Sequence, residues 1–226
     1  MIFGFGATEK LQARWLPVLA AAAVLAAGCA SGGQAPAAGE GTPAAAAPAS
    51  ASAPADTTSD PGANTAEGTL AAPAQATNAF TYNPALAPEG ADVSVDVETA
   101  AGTTEVALDV DGMLPNRGYA AHAHVNPCGP TGDAAGPHFQ NRVDPAAAPG
   151  KPSTDPAYAN PQNEIWLDLH TDGTGAGEAT ATLPFLLTDR APASVVIHEA
   201  QTTGTTPGQA GSAGARIACI DVPFTR

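Results

Sequence analysis

Four of the five histidines in this chain stand at spacings that could bring them to one metal ion. His122 and His124 flank Ala123. In a strand, residues i and i+2 project from the same face, so both imidazoles could reach one ligand. His138 lies in Gly136-Pro137-His138-Phe139, and His198 ends the apolar run Val195-Val196-Ile197. Imidazole is the commonest metal ligand, and an all-nitrogen set with room for square-planar geometry suits Cu(II). A His-x-His pair alone is weak evidence, because such a pair is more often a hydrogen-bonded polar face. The fifth histidine, His170, precedes Thr171-Asp172-Gly173 and reads as a solvated turn residue.

The three cysteines add a second constraint. If Cys29, near the N-terminus, is lipidated, Cys128 and Cys219 remain as a pair. In an exported domain a pair is most simply a disulfide. It would close a loop of about 90 residues, contribute roughly 4–5 kcal/mol on the chain-entropy model, and pin the loop at Cys128 to the last strand. The rival reading is two metal-binding thiolates, which an oxidising compartment and the lack of a neighbouring second Cys disfavour.

The segments that carry these residues read as strands. Val93, Val95 and Val97 alternate with Asp92, Ser94, Asp96 and Glu98, and Val106, Leu108 and Val110 alternate with Glu105, Ala107 and Asp109. That is period two, the mark of a half-buried strand. Ala100-Ala101-Gly102 between them reads as a hairpin turn. Further strands are expected at 79–82, 119–125, 164–170, 177–183, 193–198 and 215–222. Asp172-Gly173 is a turn signal. No segment outside the N-terminus carries a sustained helical period. Eight short strands predict an all-β antiparallel sandwich or flattened barrel. Its two long connections, 126–163 and 199–214, are expected to be functional.

The first 77 residues read differently. Lys10 and Arg14 precede the apolar run Trp15–Ala27, too short for a permanent membrane span but suited to a signal peptide. Ala26-Ala27-Gly28-Cys29 resembles a bacterial lipobox, whose Cys is lipidated and becomes the mature N-terminus. It departs in having Ala26 where Leu is usual, with Leu25 one place further back. Residues 29–77 are rich in Ala, Pro, Gly, Ser and Thr with almost no large apolar side chain beyond Leu70, so a disordered tether is expected. The folded domain is expected over 78–226, exported and lipid-anchored on the outer face of a bacterial membrane. The net charge of −14 excludes a typical nucleic-acid binder and a basic membrane-surface patch.

Five segments together carry a family resemblance. They are Gly118-Tyr119-Ala120-Ala121-His122-Ala123-His124, then Cys128, then Ala135-Gly136-Pro137-His138-Phe139, then Val195-Val196-Ile197-His198-Glu199, then Ala213-Gly214-Ala215-Arg216-Ile217-Ala218-Cys219. In their order and intervals they resemble the Cu/Zn superoxide dismutase family over about 79–222. The resemblance implies an eight-stranded Greek-key sandwich. It also implies copper as cofactor, superoxide as substrate, and oxygen and hydrogen peroxide as products. His122, His124, His138 and His198 take the copper-ligand places, and Cys128 and Cys219 the disulfide. Arg216 takes the place of the arginine that draws superoxide in. His138 takes the place of the ligand that bridges copper to zinc in the family, releases reduced copper and carries a proton.

The chain departs from that family where zinc would bind. Residues 140–163 contain no histidine, the zinc Asp place falls near Asn163, and Asp144 and Asp155 are the carboxylates nearby. A copper-only site without zinc is therefore expected. A ligand's second nitrogen needs a partner that fixes ring and tautomer, and Glu164, beside the lost zinc place, is the candidate to hold His138. The segment 201–215 is uncharged, where the family carries charges that guide the anion. The alternative function is a copper-buffering or copper-delivering lipoprotein on the same fold. A structural or adhesion domain that lost its metal is a third reading, which the retained ligands disfavour.

Overall fold

The computed structural model describes residues 63–148, 150–188 and 190–224. The expected signal segment, Cys29 and the tether as far as residue 62 lie outside them. Among the described residues ten strands run in order: β1 (Ala63–Thr69), β2 (Ala79–Thr81), β3 (Asp92–Ala100), β4 (Thr103–Asp111), β5 (Gly118–Tyr119), β6 (Ala121–His124), β7 (Leu169–His170), β8 (Gly177–Leu183), β9 (Ser194–His198) and β10 (Arg216–Asp221). One 3₁₀ turn, Gly132–Ala135, interrupts them. Among the described residues no helix is long and apolar enough to cross a membrane.

Eight strands form two four-stranded antiparallel sheets, ordered β1-β3-β4-β8 and β2-β10-β9-β6. The chain leaves β1 in the first sheet for β2 in the second, comes back for β3 and β4, crosses to β6, returns at β8 beside β4, and crosses again to β9 beside β6. These Greek-key crossings agree with the expected all-β sandwich. β5 and β7 add a two-stranded ribbon.

Period-two patterning explains the core. Val93, Val95 and Val97 of β3 and Val106, Leu108 and Val110 of β4 are buried, while the residues between them face outward. Each fully buried Val or Leu contributes about 1.5–3 kcal/mol by leaving water. Ala101 and Gly102, at φ 52° and 84°, close the β3–β4 hairpin with two consecutive left-handed residues, as a type I′ turn requires. From the second sheet, Ala121, Ala123, Val195, Ile197, Ala218 and Ile220 meet the same core. By alternation, His122, His124, Val196, His198 and Cys219 project from the other face, beneath the long loops.

Three expectations need correction. The tether was expected to run through residue 77, but β1 pairs with β3 along its whole length, and Leu70 is buried. β1 carries no large apolar side chain; backbone pairing and the Thr69 Oγ1 bond to Asp92 (2.7 Å) hold it at the sheet edge. A continuous strand over 164–170 is also not found. Only β7 is regular, while Ile165 and Leu167 bond singly to Ala123 and Ala121 of β6. The strand expected over 119–125 splits at Ala120, whose N–H turns to the Ala200 carbonyl in the loop after β9 (2.8 Å).

Candidate metal centre

The sheet face opposite the core carries the site. His122 and His124 stand on β6, and His198 ends β9 two strand positions beyond Val196, the register partner of His122. His138 arrives from the long connection because its neighbours bond along the free edge of β6. Val125 N–H donates to Pro137 O (3.1 Å) and Phe139 N–H donates to Ala123 O (2.9 Å). The segment 165–167 bonds further along the same strand. Two pieces of loop far apart in sequence thereby flank one short strand.

The four histidines converge. One nitrogen from each can be chosen so that all four atoms lie within 4.8 Å of one another. The His122 and His138 rings are centred 4.1 Å apart, and the Nε2 atoms of His124 and His198 are separated by 3.4 Å. A metal bound by imidazole nitrogens at about 2.0–2.1 Å sets its ligand atoms roughly 3–4 Å apart, so the widest of these separations would have to close slightly around one ion. His122, His124 and His198 are almost wholly buried, while the His138 side chain keeps 17% of its surface exposed and marks the way in.

Hydrogen-bond partners identify the inward nitrogens. His124 Nδ1 donates to the Gly136 carbonyl (2.9 Å), leaving Nε2 for the cluster. Gly136 sits at φ 71°, and a Cβ there would meet Asn126 Nδ2 at 2.7 Å, so only glycine offers its carbonyl in this way. His138 Nδ1 lies 3.0 Å from Glu164 Oε2. His122 Nε2 lies 2.7 Å from Thr203 Oγ1, while its Nδ1 is buried without a partner. His198 Nδ1 is likewise buried without a hydrogen-bond partner, and unpartnered buried nitrogens within a set of convergent imidazoles fit a site that could hold a metal ion.

Burial, reinforced by the neighbouring histidines, holds His122 and His124 well below the usual histidine range. Burial and then His138 push His198 down to about 3, opposed in part by the Gly214 backbone. Neutral imidazoles keep the lone pairs that ligation requires.

Glu164 is buried and accepts three donors. Its Oε2 receives His138 Nδ1–H and Trp166 Nε1–H (2.7 Å), and its Oε1 receives Gln140 Nε2–H (2.8 Å). Asn163 is committed to bracing the loop. It accepts Arg142 N–H at Oδ1 and donates from Nδ2 to the Arg142 and Tyr158 carbonyls. Asp144 accepts Ser153 Oγ–H and Ala146 N–H, and Asp155 caps Ala157 N–H.

Arg216 pairs directly with His198 in the β9–β10 ladder, at a register shift, so the two residues share a sheet face. Its Nη1 donates to the Gly132 carbonyl (2.8 Å), and its charge acts on His124 and His198. Gly132 belongs to the loop fastened by the Cys128–Cys219 disulfide, whose Cα atoms are 5.8 Å apart. The thiolate alternative is thereby set aside. Spacing gave no sign of Asp168, Thr203, Trp166 or Gln140 at this site. Asp168 and Thr203 stand on segments that only the folded sheet brings together.

Fold and site together define a disulfide-bonded β-sandwich with a cluster of four histidines that could hold a metal ion. No protein-family profile matches the chain, and no curated protein matches it. Among solved structures the chain is similar to the Cu/Zn superoxide dismutase from Brucella abortus. The two share 19% identity over 71% of this chain and 98% of that one, with a TM-score of 0.42.

Proposed function

We propose that the protein is a copper-dependent superoxide dismutase that uses one metal ion. The observation that carries this reading is the convergence of four imidazoles with Arg216 directly opposite His198. His122 offers Nδ1, and His124, His138 and His198 offer Nε2. Copper held there supplies one-electron redox chemistry between its two common oxidation states. Overall, two superoxide ions and two protons become one oxygen and one hydrogen peroxide. Arg216 attracts and orients the anion by charge and hydrogen bonding, steadied by the Gly132 carbonyl. His138, the exposed member of the set, presents Nε2 to the site and holds or passes a proton there while Glu164 keeps its Nδ1–H in place. That the second nitrogen of His138 is taken by Glu164 supports a centre for a single ion, without zinc. The disulfide supports an oxidising compartment. We place the chain outside the cytoplasm, anchored through a lipid on Cys29.

The test loads the full chain with copper alone and measures superoxide dismutation against Arg216→Ala. A chain cut at Asn78 would lack β1 and is unsuitable. Copper-dependent turnover that falls roughly 10- to 100-fold in Arg216→Ala is expected, the scale of losing local steering and one positioned donor. Tight copper binding without turnover would instead make this a copper-buffering or copper-delivering protein.

A further inference from the structure

We infer that Asp168, acting through Thr203, sets which nitrogen of His122 is free to take a metal. The direction of this hydrogen-bond chain is decided at its far end. Asp168 Oδ2 accepts the Thr203 backbone N–H (2.6 Å) and the Thr202 hydroxyl (3.0 Å). Its Oδ1 accepts the Ala121 backbone N–H (3.2 Å) and the Thr203 hydroxyl (2.6 Å). Backbone N–H groups only donate, so both carboxylate oxygens act as acceptors. The Thr203 hydroxyl has one proton and gives it to Asp168. Its oxygen then has only lone pairs to offer His122 Nε2, 2.7 Å away, and Nε2 must carry the proton. The lone pair of the neutral ring is left on Nδ1, the buried nitrogen with no partner. The metal-ready tautomer is thus prepared before an ion arrives.

Asp168 and Thr203 are positioning residues on this account. They come from separate segments, Asp168 from just before β7 and Thr203 from the loop after β9, and Asp168 acts on His122 through the Thr203 hydroxyl. The close approach of that loop depends on Gly118, where a Cβ would stand 2.5 Å from the Gln201 carbonyl oxygen. The inference rests on the metal-centre reading but not on dismutation.

Long-range ¹H–¹⁵N spectra of the metal-free full chain at pH 7.5 read the tautomer of each histidine directly. The wild type is expected to show His122 as Nε2–H. Thr203→Val keeps the shape but removes the hydroxyl. It is expected to lose the single tautomer and to bind Cu(II), in competition with a chromophoric chelator, about 10- to 100-fold more weakly. Thr203→Ser is expected to restore both. Asp168→Asn can donate to the threonine oxygen, which reverses the chain and moves His122 toward Nδ1–H. A wild-type His122 found as Nδ1–H overturns the inference, as does a Thr203→Val protein with tautomer and Cu(II) affinity unchanged. If a variant unfolds, the wild-type spectrum still decides. A locked Nε2–H His122 in a chain that binds no Cu(II) would support the relay and overturn the metal centre.

Discussion

Each imidazole whose outer nitrogen is held is also told which nitrogen to present inward. The Gly136 carbonyl does this for His124 and Glu164 for His138. Glu164→Ala removes the acceptor from His138 and strands the Trp166 and Gln140 donors. Cu(II) affinity in a chelator competition should then fall about 10- to 100-fold. Unchanged affinity and rate would mean that Glu164 merely fills space. The three most buried imidazoles, those of His122, His124 and His198, govern acid stability. In the unfolded chain they protonate near 6.5, while in the fold His198 resists down to about 3 and His122 and His124 are also held low. Between those limits the unfolded chain binds more protons. The metal-free fold is therefore most stable above about 6.5 and loses stability as pH falls, by about 1.4 kcal/mol per pH unit for each such histidine. Urea melts at pH 7.5 and pH 5 should show the lower midpoint at pH 5.

At the scale of elements, the loop between β6 and β7 is held at several points. The disulfide ties it to β10, Cys128 N–H donates to Asp221 (2.6 Å), and the Tyr82 hydroxyl donates to the Gly129 carbonyl (3.0 Å). The same loop supplies the Gly132 carbonyl that holds Arg216. Replacing both Cys128 and Cys219 by Ser should lower unfolding stability by roughly 4 kcal/mol, since the bridge closes a long loop. It should also reduce dismutation more than copper occupancy, because the four ligands stand on β6, β9 and a stretch bonded to β6. Urea midpoints and a copper assay on the same preparation would separate the two effects. Equal loss of copper and rate would place the ligands themselves under the disulfide's control.

Over the whole molecule, charge is segregated. The first sheet carries Glu67, Asp92, Asp96, Glu98, Glu105, Asp109, Asp111 and Glu178, and none of its strands carries a Lys or Arg. Like charges stand directly opposite at Asp92–Asp111, Glu98–Glu105 and Asp109–Glu178. Burial and then the neighbouring carboxylates raise the Asp109 pKa. With a net charge of −14, the long-range field repels an anion, and Arg216 attracts it only at short range. Salt shortens the Debye length from roughly 30 Å at 0.01 M to 8 Å at 0.15 M, which screens the distant repulsion first. The dismutation rate should therefore rise over that interval. A fall would show that cationic groups around the site dominate the approach.

Much of this protein is legible in local pattern. Valine alternation on β3 and β4 marks a sheet because the strand period is a property of neighbouring residues. His122, His124, His138 and His198 announce ligand chemistry by type, and the Cys128–Cys219 pair follows from counting. β1 was hidden because backbone pairing rather than apolar side chains holds it, and pairing leaves no mark on composition. Asp168 and Thr203 were hidden for another reason. Their meeting depends on a loop after β9 crossing the face of β6, made possible by a missing side chain at Gly118. Residue types along the chain set which groups could bind a metal. Which nitrogen His122, His124 and His138 turn inward is settled in the fold, because that choice is made by hydrogen-bond partners that stand apart along the chain.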